Sequence, residues 1–168
     1  MIGEALRHLR GEEELTQEQL AFDLNVSKQM VSHMETGRRK MQKDIAKAAL
    51  STYDVPEVAI ELIYEFSGGY TSPLFNGKAI ERHRLALEEF AIRESKEAIR
   101  ILEEVSFIKP PGETTSDERE RVGRVIDELI DAEAAINNLK AILAKEYKIS
   151  LKKRYDLRKP YWKAKGWI

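Results

Sequence analysis

The 168-residue chain has no cysteine, which excludes disulfide scaffolds and thiolate metal sites and accords with a cytoplasmic, reducing location. Glycine and proline are scarce, at 9 and 5 residues, together about 8% where about 12% is usual. Ala, Leu, Glu, Lys, Arg and Ile dominate instead, the composition of a helical protein. No apolar run approaches the roughly 20 residues of a membrane span, and the acidic, interrupted N-terminal stretch lacks the basic and apolar blocks of a signal peptide. Net charge is nearly absent as well, at −1, but this balance hides an uneven distribution. Residues 1–66 carry 8 basic and 12 acidic groups, residues 67–147 carry 12 and 16, and residues 148–168 carry 8 against Asp156 alone. A basic tail on an acidic body points to a polyanionic partner or to internal docking.

Catalytic chemistry finds little to work with. There is no cysteine nucleophile, no Gly-rich phosphate loop and no G-x-S-x-G elbow. Glu94 and Glu133 lie near apolar stripes, but no Glu-x-x-His pairing accompanies them, and His8, His33 and His83 are the only histidines. The expectation is a protein that is not an enzyme and needs neither metal nor other cofactor.

Apolar residues recur at helical spacing almost throughout. Ile2, Leu6 and Leu9 predict a first helix ending near Gly11. Thr16-Gln17-Glu18-Gln19 is a capping box that opens a second, with Leu20, Ala21 and Leu24 inward. Asn25 can take the left-handed conformation of a sharp stop, and Ser27 caps a third helix that turns Val31 and Met34 inward and ends at Gly37. A fourth helix, about 42–52, would bury Ile45, Ala48 and Ala49. Pro56 opens a fifth, with Val58, Ile60, Leu62 and Ile63. These five make a compact domain over 1–66.

Ser67-Gly68-Gly69-Tyr70-Thr71-Ser72-Pro73 and Asn76-Gly77 form the clearest break, so 67–77 reads as a linker or a pair of turns. Beyond it, two long helices are expected over 78–147 as a helical hairpin. The first, about 78–107, carries Ile80, Leu87, Phe90, Ala98, Ile101, Leu102 and Val105. The second is opened by the capping box Thr115-Ser116-Asp117-Glu118. It has two rows at seven-residue spacing: Val122, Leu129, Ile136, Leu143 and Val125, Ala132, Leu139. Such rows favour a coiled-coil-like seam, and two helices alone leave an apolar stripe wet, so the hairpin should pack on a second copy or on the N-terminal domain. In the tail 148–168, Tyr155, Tyr161, Trp162 and Trp167 alternate with basic groups. Docking of Tyr161, Trp162 and Trp167 on the hairpin is favoured over base stacking, because duplex DNA offers no free bases. Pro160 and Gly166 argue against an amphipathic membrane-surface helix.

Thr16–Gly37 is the informative segment. Two capped helices joined by a turn of about three residues, with small Ala21 at the close approach and Val26 and Val31 pinned inside, are what a helix-turn-helix requires. Lys28, Gln29, Ser32, His33 and Thr36 point outward on the second of them, and each can bond base edges or phosphates.

These residues resemble the lambda-repressor-like, Cro/C1-type (Xre) helix-turn-helix family. The likeness runs through Leu15-Thr16-Gln17-Glu18-Gln19-Leu20-Ala21, then Leu24-Asn25-Val26-Ser27, then Val31-Ser32-His33-Met34-Glu35-Thr36-Gly37-Arg38-Arg39, and covers about residues 2–66. Asn25 stands where Gly is usual, Val31 where Ile is usual, and Met41 where Pro commonly follows. The resemblance implies an all-α protein whose N-terminal five-helix domain binds double-stranded DNA. Lys28, Gln29 and His33 would face base edges, with Ser32 at the margin. Gln17 would touch a phosphate and brace the recognition helix, and Arg38, Arg39, Lys40 and Lys43 would grip the backbone. Arg10 and Glu35 match a family ion pair of structural purpose. A homodimeric repressor of a palindromic operator is the expected activity, with a phage or mobile-element origin. Two other readings stand beside it. One is an antitoxin-like interaction module whose hairpin binds a protein partner. The other is a replication or architectural protein that binds DNA through its tail.

Overall fold

The structure, a computed structural model, describes residues 2–168. Among the described residues the regular elements are all helical: α1 (Ile2–Glu12), α2 (Gln17–Asp23), α3 (Lys28–Glu35), α4 (Lys43–Thr52), α5 (Pro56–Ser67), α6 (Arg84–Glu104), α7 (Ser116–Glu146) and α8 (Leu151–Ala164), with one 3-10 turn at Pro111–Glu113. They fall into two compact units. One holds the residues up to Pro73 together with Leu143–Ile168, the other Leu74–Ile142. Residues 143–168 therefore group with the N-terminal helices, a division that the sequence pattern does not announce.

In the first unit α1 packs against both α3 and α5, and α2 packs against α3. Leu6, Leu9, Leu20, Val31, Met34 and Leu62 are almost wholly buried at this junction, each worth about 1.5–3 kcal/mol of removal from water. The capping box is formed: Gln19 N donates to Thr16 Oγ1 at 3.2 Å while Thr16 N donates to Gln19 Oε1 at 2.8 Å. Asn25 takes a left-handed φ of 53°, and the Val26 amide reaches back to Ala21 O at 2.9 Å. Ser27 Oγ then accepts from Met30 N at 3.1 Å, and Gly37, at φ 72°, ends α3. In α4 the buried alanines are Ala46 and Ala49, with Ala48 only half-buried. In α5 Val58 and Leu62 face inward, Ile60 is half-buried and Ile63 is exposed.

The second unit departs from expectation at its start. Residues 78–83 are not helical; the Ile80 amide closes a turn on Gly77 O at 3.2 Å. The cap of α6 is His83, whose Nδ1 accepts from Leu85 N at 3.4 Å, so Ile80 lies off the helical stripe. The helix stops at Glu104 because Val105 is extended. The second capping box is present, with Thr115 N donating to Glu118 Oε2 at 2.7 Å and Glu118 N to Thr115 Oγ1 at 3.2 Å. Lys109 and the Thr115 amide together pull the Glu118 carboxyl down to about 2. The stretch after Pro73 is built into this unit. Leu74 is buried, Phe75 meets the Phe90 ring edge-on at 5.9 Å, and its amide donates to Asn138 Oδ1 at 2.8 Å. Phe75 thus ties α6 to α7.

The two heptad rows of α7 differ in fate. Val125 and Ala132 are buried and Leu139 is half-buried, whereas Leu129, Ile136 and Leu143 are exposed. On α6 the exposed Leu85, Ile92 and Ile99 also fall seven apart.

The tail is corrected by the structure. Residues 151–164 form α8 with Pro160 inside it. Proline at its tenth position removes one amide donor and leaves the helix to end a turn later, where Gly166 takes φ 68°. No residue of α8 is buried, so its aromatic residues do not complete a core. Tyr161 packs edge-on against Trp167 at 5.8 Å, with the Arg158 guanidinium 4.3 Å from its ring centre.

Candidate nucleic-acid interface

The α2–turn–α3 segment is locked to α1 by one carboxylate. Glu35, the last residue of α3, is 5% exposed. Arg10 Nε of α1 donates to its Oε1 at 2.8 Å, and Gln17 Nε2 of α2 donates to its Oε2 at 2.7 Å. Arg10 also donates through Nη1 to Leu15 O at 3.1 Å. The Arg10–Glu35 pair and the bracing by Gln17 are therefore both formed. The buried charge is matched and its lone pairs are used, as a desolvated carboxylate requires.

Gly3 makes this junction close enough. A Cβ there would lie 2.5 Å from Met34 O and 2.8 Å from Glu35 O, so α1 passes the end of α3 with no room for a side chain. Sequence reasoning missed Gly3, because a glycine inside a helix reads as a weak point until its neighbour across the packing is known.

With Val31, Met34 and Glu35 inward, the opposite side of α3 carries the expected readers. Lys28 and Gln29 are exposed, and Ser32 and His33 are half-buried. Two positions are more constrained than their sequence suggests. Lys28 Nζ pairs with Glu18 Oε1 at 2.6 Å, and that bond holds the Glu18 carboxyl below its usual value. Both side chains are open to water, so the pair is weak and screened by salt, and it occupies one of the three ammonium hydrogens of Lys28. Thr36 Oγ1 donates to Ser32 O at 2.8 Å, which spends its proton on its own helix. Gln29 is exposed with both amide functions open.

Arg38, Arg39, Lys40 and Lys43 are exposed on the loop after α3 and the first turn of α4. The Gly37 and Arg39 amides donate to Met34 O and His33 O, each at 3.1 Å, folding the loop back onto the end of α3. Met41, which replaces the commoner proline, is 5% exposed and anchors this loop in the core by burial where a proline would act through its ring.

A second cluster was not foreseen. His8 Nε2 lies 3.1 Å from Glu57 Oε2 and 3.5 Å from Glu12 Oε1, and these three residues' ligand atoms lie within 4.8 Å of one another. Lys145 Nζ stands among them, 2.7 Å from Glu12 and 3.3 Å from Glu57. An ammonium thus already supplies the positive charge that a metal ion would bring. The hydrogen bond to Glu57 holds the His8 imidazole above its usual value against the opposing effect of burial. The adjoining cleft, about 410 Å³, is lined by Glu12, Asp54, Glu57, Lys145, Lys148 and Ser150 among others. Nothing in the sequence marks Glu57 for burial among its many glutamates.

A family model described as a helix-turn-helix domain matches residues 2–63, the stretch that holds the two capped helices and tight turn of α2 and α3. No curated protein and no solved structure matches the chain. No helix among the described residues is long and apolar enough to cross a membrane.

Proposed function

We propose that this protein is a sequence-specific DNA-binding transcriptional regulator of the Cro/C1 (Xre) type, a homodimeric repressor that places α3 in the major groove of a palindromic operator. The observation that carries the reading is the pinned recognition unit. Glu35 fastens α3 to α1 and α2 from behind, while Gln29, Ser32 and His33 face out and Arg38, Arg39, Lys40 and Lys43 flank them. Gln29 offers the bidentate pairing with adenine N6 and N7, worth about 1–3 kcal/mol of discrimination. The basic loop holds phosphates, each adding about 0.9 to the steepness of the salt dependence. Gln17 keeps one amide hydrogen beyond its bond to Glu35, and that hydrogen would meet a phosphate.

The second copy is assigned to the seven-spaced exposed rows. Leu85, Ile92 and Ile99 on α6 and Leu129 and Ile136 on α7 remain in water in the single chain, and seven-residue spacing is what a helical seam between copies requires. Pairing would set two recognition helices about 34 Å apart, one turn of duplex. Repression then follows by covering a promoter.

Selection of bound duplexes from a random library at about 0.15 M salt, where backbone-only binding is suppressed, tests this reading. A palindrome with half-sites one turn apart is expected. The double variant Ile92→Glu with Leu129→Glu should sediment as a monomer and bind single half-sites, with its preference for the palindrome lost. A variant that stays dimeric would overturn the assigned seam, and failure to enrich any sequence would overturn specific readout.

A further inference from the structure

We propose that α8 is a second nucleic-acid contact, an arm that lies along the phosphate backbone of duplex DNA flanking the site read by α3; this rests on the DNA-binding reading above. The first observation is that the helix is neither buried nor internally neutralised. Asp156, the one acidic group of residues 148–168, is already paired with Lys159 at 2.7 Å. Lys153, Arg154 and Lys163 carry exposed charges with no acidic partner among the described residues. Arg158 is turned onto the Tyr161 ring. A helix with so much like charge repels itself unless a polyanion lies beside it.

The second observation is how α8 is rooted. Ser150, its cap, donates its hydroxyl to Asp54. Lys152 Nζ donates to Ser51 O at 2.8 Å and to Tyr53 O at 3.2 Å. The arm therefore starts from the α4–α5 connection of the helix-turn-helix domain and is held there by several bonds. Tethering it to a domain that holds duplex DNA raises the local concentration of phosphate around it. Its root lies at the opposite end of α4 from Lys43, about 15 Å along that helix, and α8 itself is about 21 Å long. Phosphates outside the half-site are thus its targets, and it contacts backbone alone, since a duplex hides the base faces that aromatic residues would stack on.

The test compares the full chain with the triple variant Lys153→Gln, Arg154→Gln, Lys163→Gln. Two duplexes carry the same selected site, one ending at the site and one extending about a helical turn, roughly 10 base pairs, beyond it at each end. None of the three side chains is buried, so helicity should be unchanged. On the longer duplex the log–log salt slope should become shallower by about 2.7 per bound protomer, about 5.4 for the dimer, for three lost phosphate contacts in each copy. On the shorter duplex the two proteins should differ much less, and the preferred sequence should be the same for both. Equal slopes on the longer duplex, with the selected site still preferred, would overturn the arm while leaving α3 as the reader. If the variant instead loses binding to vesicles of anionic lipid, or loses self-association at low salt, with its DNA slope unchanged, the arm belongs to a membrane or an acidic protein surface and the proposal fails. A chain that selects no duplex at all removes both readings.

Discussion

Glu35 concentrates the stability of the recognition unit in a single side chain. Its replacement by Ala leaves Arg10 and Gln17 facing an apolar gap. Removing one partner of a buried pair costs about 3–5 kcal/mol, and Arg10, with its side chain 29% exposed, can recover part of its hydration. Glu35→Ala should therefore destabilise the protein by about 3 kcal/mol in denaturant titration, and an unchanged midpoint would show that the pair contributes nothing. Gly3 sets two effects against each other. Alanine favours a helix over glycine by about 1 kcal/mol, but its Cβ would meet Met34 O at 2.5 Å, and overpacking typically costs about 1–3 kcal/mol. The obstacle is backbone and cannot rotate away, so the clash should win and Gly3→Ala should lower the melting temperature. Arg10 and Glu35 were legible only through the family resemblance, which pairs these two positions, since residues 25 apart leave no local signal of their contact. Gly3 was not legible, because its reason lies across a helix junction.

At the scale of elements, the caps carry most of what a sequence can say. Thr16, Asn25, Ser27, Gly37 and Thr115 each do what their chemistry implies, since a cap is a bond between residues a few positions apart. The start of α6 and the course of α8 were less readable. Ile80 continues an apolar spacing that the Gly77 turn interrupts, and Pro160 is carried inside a helix that loses only one bond to it. The joining of α1, α5 and the α7–α8 corner through His8, Glu57, Glu12 and Lys145 is a long-range event with no local signal. It gives this corner a pH dependence. Glu57, chiefly through its hydrogen bond, raises the folded-state pKa of His8 above 6.5. The stabilisation is therefore complete below pH 6.5 and is lost as pH rises through the raised value. Lys145 is also raised from 10.5 and stays charged across that window, and Glu61, whose Oε2 is buried with no hydrogen-bond partner among the described residues, is shifted above 4.5 by burial. The melting temperature should fall as pH rises above 6.5 and through the raised value, and His8→Gln should flatten that fall. An equal slope in the variant would remove His8 as its cause.

Across the whole molecule, charge is partitioned by task. Some acidic groups of the N-terminal domain are drawn into internal bonds, as with Glu35, Glu57 and Glu12, while Glu13, Glu14, Asp44 and Glu65 are exposed. The basic loop 38–43 and α8 stay open to solvent. Under the proposed function this resolves the tension between an acidic domain and a polyanionic ligand, because a local strip of cations, not the sum over the domain, would meet the phosphates. In the proposed function, the exposed seven-spaced rows on α6 and α7 would form the seam between two copies.

The central claim is that α3 reads bases while the loop after it holds backbone. The most direct measurement is the affinity of Gln29→Ala and Arg38→Ala for the selected site and for its single-base variants, at fixed salt. Gln29→Ala should lose discrimination at one or two positions, by about 1–3 kcal/mol, and bind the altered sites nearly as the original protein does. Arg38→Ala should weaken every duplex by a similar factor and reduce the salt slope by about 0.9 per bound protomer. Uniform loss from Gln29→Ala across all sequences would contradict the account.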